Sequence, residues 1–114
     1  MNLENFLEML KNRPEMIDFK DLISVIDGKY DFTPTEFSNG NLLNKAGQND
    51  GSCKLFSFAD LHQLTQEQTL ACFGAYYRED VLQHPEEDNH QNIRNFMKTG
   101  WSGIQFEGCA LSEK

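Results

Sequence analysis

Residues 65–101, TQEQTLACFGAYYREDVLQHPEEDNHQNIRNFMKTGW, decide how this chain folds. Thr65 followed three residues later by Gln68 is a capping-box pattern, in which each side chain satisfies a backbone N–H at a helix start. Leu70, Phe73 and Tyr77 then recur at helical spacing and predict a buried stripe. Gly74 lies beside that stripe with Ala71. A glycine inside a helix costs about 1 kcal/mol relative to alanine, so Gly74 implies the close approach of a neighbouring element. Asp88 or Asn89 is expected to cap a second helix with Ile93, Phe96 and Met97 on its apolar face. Gly100 fits the left-handed stop position, with Lys98 complementing the last turn. Trp101 is then expected to pack against Phe96.

Toward the N-terminus, Asn2 caps a predicted helix whose stripe is Leu3, Phe6, Leu7 and Leu10, and Pro14 ends it or starts the next turn. A second helix is predicted over residues 18–29, with Phe19, Leu22, Ile23 and Ile26 on one face. Pro34 marks an extended stretch over residues 31–38, and Asn39-Gly40 is a turn signal. Residues 41–52 are polar and rich in Asn, Gly and Gln, which reads as an irregular loop with Asp50-Gly51 as its second turn. Residues 53–58 alternate with apolar groups on both faces and predict a central strand. Residues 102–106 predict a last strand, and residues 109–114 a C-terminal tail, leaving residues 1–108 as one domain. The class is α+β: about four helices packed on a small, mostly antiparallel sheet of three or so strands.

Composition narrows the function classes. The chain has 114 residues, 39% of them hydrophobic and 11% aromatic, which is enough for a core without disulfides. Its net charge of −8 opposes a phosphate backbone, so no nucleic-acid partner is expected. No apolar run has the length of a membrane span. Cys53, Cys72 and Cys109 form no metal-type spacing, and their odd number points to a reducing compartment. The N-terminus shows no basic start and no cleavable apolar core. The expectation is a monomer, cytoplasmic where it is made, with no cofactor.

Candidate chemistry is sparse. His84, Asp88 and His90 lie within seven residues and combine imidazole with carboxylate, the donors a divalent metal takes. The plainer reading makes Asp88 a helix cap and the histidines local hydrogen-bonding groups. Cys53, paired with a histidine, would be a nucleophile; a free cysteine is more often a small buried hydrophobe. His62 reads as a local hydrogen-bonding group between strand and helix. A binding surface is expected instead from residues 41–52 and 83–90 together, with Asn49, Asp50, His84 and His90 at its edges and Tyr76 or Tyr77 as an aromatic wall. Its partner would be a protein or a small ligand.

Four separated strings carry a resemblance: VIDGKYDFTPTEFSNG (residues 25–40), AGQNDGSCKLFSFADLH (46–62), QTLACFGAYYREDVL (68–82) and HQNIRNFMKTGWSGIQF (90–106). In these blocks, and over nearly its whole length, the chain resembles the HopJ type III effector family. The resemblance implies a protein of the bacterial cytoplasm that type III secretion would deliver into host cells. It implies no catalytic residues, and so favours a binding domain over the alternative, a metal- or cysteine-dependent enzyme using the histidine–acid cluster.

Overall fold

The computed structural model describes residues 2–114. The elements run α1 (Leu3–Asn12), α2 (Phe19–Lys29), β1 (Tyr30–Phe32), β2 (Phe37–Asn39), β3 (Leu42–Asn44), α3 (Asp50–Leu61), α4 (Gln66–Ala71), α5 (Gln91–Thr99), β4 (Ile104–Phe106) and β5 (Leu111–Glu113). Both sheets are antiparallel: β2 lies between β3 and β4, and β1 pairs with β5. The fold is α+β, helices packed on small antiparallel sheets.

Several starts follow their sequence signals. Asn2 Oδ1 accepts from Asn5 N at 2.8 Å, and Asp18 Oδ1 from Lys20 N at 3.3 Å. Thr65 and Gln68 complete the capping box at α4, with bonds of 3.1 and 3.0 Å. Asn39 and Leu42 close the β2–β3 hairpin around Gly40.

The centre of the core is a helix where the sequence predicts a strand. Cys53, Leu55, Phe56, Ser57, Phe58 and Ala59 of α3 are all buried. Phe56 alone meets Phe37, Phe73, Phe96 and Trp101, with ring centroids 5.0–6.4 Å apart. A helix enclosed on nearly every side shows no polar face, so its sequence imitates a two-faced central strand. Asp50 and Gly51, predicted as a turn, are its first two residues, and residues 42–44 of the expected loop pair as β3.

The helix begun at Thr65 is shorter than its stripe predicts. It ends at Ala71, turns at Gly74 with φ +63°, and resumes as a π-helical turn over Tyr76–Val81. The start of α2 forces the break: a Cβ on Gly74 would stand 2.9 Å from Phe19 N and 3.2 Å from Ile17 O. Arg78 locks the π turn to the same segment by donating to Ile17 O at 2.8 Å.

At α5 the cap is neither Asp88 nor Asn89 but His90, in the left-handed region at φ 51°. Of the two expected caps, the Asn89 side chain is engaged elsewhere. Asn89 accepts from Arg94 through its side chain and its carbonyl, and the Asp88 carbonyl accepts from Gln91. Gly100 ends α5 with φ +61° and ψ −153°, a positive φ as expected but outside the left-handed helical well, in a region open essentially to glycine. Trp101 packs edge-on against Phe96 at 5.2 Å and donates from Nε1 to Leu64 O at 3.0 Å. The C-terminal residues are not a tail. Ala110 and Leu111 are buried, and β5 completes the pairing of β1.

Candidate functional site

A groove of about 630 Å³ opens between the N-terminal ends of α3 and α5, a volume within the range of small-ligand sites. Asn49, Gly51 and Ser52 enter it from one stretch, His90, Gln91 and Asn92 from another, and Leu42 from β3. Phe19, Phe73 and Tyr76 supply aromatic surface. Phe19 stacks on Phe73 at 6.3 Å and meets Tyr76 edge-on at 5.5 Å. From residues 41–52 the groove takes Leu42, Asn49, Gly51 and Ser52, from residues 83–90 it takes His90 alone, and of the two tyrosines it is Tyr76 that lines it. Asp50, Tyr77 and His84 are not among its lining residues.

Behind the groove lies a connected set of asparagines. Asn39, Asn44 and Asn92 are 0%, 1% and 6% exposed. Asn39 Nδ2 donates to Asn92 O at 2.7 Å and Asn92 Oδ1 at 3.0 Å. Asn44 and Asn92 exchange reciprocal carboxamide bonds of 3.1 and 2.9 Å. Asn49 donates to Asn44 Oδ1 at 2.7 Å, which carries the set outward to the groove. Asn39 Oδ1 is buried without a partner among the described residues.

His90 joins the groove to the π turn. Its Nε2 lies 3.1 Å from Asp80 Oδ2, and its ring centre is 5.4 Å from that of Tyr76. Tyr76 and Asp80 both sit on the π turn, a geometry that recurs at functional sites.

The structure does not gather the histidine–acid cluster. His84 and Asp88 are exposed, while His90 turns to Asp80. Among the described residues, no group of three or more His, Cys, Asp or Glu side chains is disposed to hold a metal ion. Pro85 and the Arg94 fork explain this: Arg94 donates to the carbonyls of His84 and Pro85 and fixes the loop by its backbone.

Cys53 is not at a strand mouth but buried in the first turns of α3, with Sγ donating to Thr35 O at 3.4 Å. Burial, aided by the Asp50 carboxylate, pushes its thiol above the ordinary value; that is the reverse of nucleophile activation. Burial pushes Cys72 up to about 12. His62 caps the end of α3, and its Nε2 meets Tyr30 Oη at 2.9 Å, a long-range rather than local partner. Burial, then the charge of Lys29, lowers its pKa.

Sequence reading misses Asp80, Phe19 and the set Asn39, Asn44 and Asn92. One signal is present: the asparagines cluster in residues 39–49 and again in 89–95, on segments that meet.

Fold and groove define a small α+β protein with an aromatic-walled cleft on its surface that also carries polar side chains. The chain belongs to the HopJ type III effector protein family, whose family model matches residues 3–111. It is similar to the crystal structure of a protein of unknown function, VPA0580, at 58% identity and a TM-score of 0.98, covering 100% of this chain and 95% of that one. No match is found among curated proteins. No helix among the described residues is long and apolar enough to cross a membrane.

Proposed function

We propose that this HopJ-family protein acts by binding, and that the groove between α3 and α5 is its recognition site. One observation carries the reading: two polar segments far apart in sequence, each anchored by a helix start, meet with Tyr76 around one cavity. Rigid elements presenting polar loop residues beside aromatic rings are the usual make-up of a ligand site. Ligand-observed NMR of the full chain against a fragment library tests it. Groove binders are expected among the hits, and those hits weaken in Tyr76→Ala. Hits that bind parent and variant alike contradict it.

The family also supports delivery through a type III system as the route to a partner. A reporter fused to the whole chain should enter host cells from competent bacteria and fail to enter from secretion-defective ones. Signal that does not depend on the secretion system contradicts that route.

A further inference from the structure

We infer that the groove takes an uncharged, planar heteroaromatic ligand of the nucleobase type, read by the Asn49 carboxamide and stacked on Tyr76. The inference rests on the groove being a binding site, as proposed above, and adds the class of ligand.

The asparagine set is the first observation. Buried carboxamides destabilise a core unless they are bonded, and apolar side chains would fill the same space without that requirement. Asn39, Asn92 and Asn44 are nevertheless buried together and bonded in series. The series ends on Asn49, whose Nδ2 donates one hydrogen to Asn44 Oδ1. What the buried set does is hold that last carboxamide in a fixed direction, as supporting groups hold a recognition residue. Asn49 Oδ1 and the second Nδ2 hydrogen have no partner among the described residues, so one carboxamide keeps both an acceptor and a donor open. That pair complements an adjacent acceptor and donor on a planar ring, as adenine presents at N7 and its exocyclic amine.

The second observation is the aromatic wall. Tyr76 is 45% exposed, braced edge-on by Phe19 and tilted over His90. A braced, half-open ring in the same groove as a fixed carboxamide suits a base, whose flat face stacks while its edge bonds.

The third is charge. Among the described residues, no Asp, Glu, Lys or Arg lines the groove, and His90 is answered by Asp80. No side chain there offers an ionic ligand a full counter-charge, and the starts of α3 and α5 contribute only the partial positive charge of a helix end. The net charge of −8 further opposes a polynucleotide, so the ligand is a free base or nucleoside.

Saturation-transfer NMR and titration of the full chain with adenosine test this, with nebularine, which lacks the exocyclic amine, and adenosine monophosphate alongside. Adenosine should bind, nebularine at least tenfold more weakly, and the monophosphate no more tightly than adenosine. Asn49→Gly keeps the left-handed backbone while removing the carboxamide, and should weaken adenosine at least tenfold at an unchanged thermal midpoint. Should that variant not fold, Tyr76→Leu serves, with the same loss expected. Adenosine that does not bind, a loss smaller than tenfold, or a tighter monophosphate overturns the inference. Fragments that engage the groove while adenosine does not leave the binding reading standing and remove only the ligand class; a groove that engages nothing removes both.

Discussion

At Gly74 one missing Cβ sets the geometry of the site. The residue has φ +63°, and the backbone of Phe19 and Ile17 fills the space a side chain would need. Gly74→Ala is predicted to destabilise the protein by about 2 kcal/mol, because left-handed alanine is strained and backbone cannot move aside as a flexible side chain would. Gly28 is the opposite case. It lies in α2, where an added methyl would meet no described atom within 4 Å, so Gly28→Ala should stabilise by about 0.5–1 kcal/mol through helix propensity. Urea unfolding of the two variants checks both signs. The need for closeness at Gly74 is legible in the sequence, since a glycine in a helical stripe carries a cost that something must offset. The break in the helix there is not, because the backbone that presses on it comes from residues more than fifty positions earlier.

At the scale of elements, legibility follows local chemistry. Helices opened by Asn2, Asp18 and Thr65 start where their caps stand, because those side chains meet backbone N–H groups two or three residues on. The start of α5 escapes sequence reading because Arg94 reaches back and occupies the Asn89 carboxamide that would have capped it. Helix α3 escapes it because burial on nearly every side erases the polar face that distinguishes a surface helix from a strand. For the site, Asn49, Tyr76 and His90 are legible as polar or aromatic groups at loop edges. Their supporting asparagines are not, since a buried carboxamide looks in sequence like an exposed one. The β1–β5 pair yields a prediction of its own. Truncation after Gly108 removes the ladder of β1 and exposes the ground on which Leu111 packs, and should cost at least about 2 kcal/mol. An unfolding midpoint equal to that of the full chain would show that β5 contributes nothing.

Across the whole molecule, stability responds to pH through His62, which joins the end of α3 to Tyr30. Burial and Lys29 lower its folded pKa below the ordinary 6.5, so the folded state binds fewer protons than the unfolded state as pH falls. The contribution is therefore complete above the unfolded value and lost as pH drops through the folded one. Between pH 7 and pH 5 the parent should lose more stability than His62→Gln, measured by urea midpoints at each pH. Equal losses would show that His62 titrates alike in both states.

At the same scale, the groove between two helix starts and the π turn, which no Asp, Glu, Lys or Arg lines among the described residues, is the site we propose for recognition. Amide chemical-shift mapping on the isotopically labelled full chain, titrated with the best fragment hit, tests that claim most directly. The account predicts the largest shifts at Asn49, Gly51, Ser52, Tyr76 and His90, with α1 unmoved. Shifts that centre on another face, with those five amides still, would contradict it.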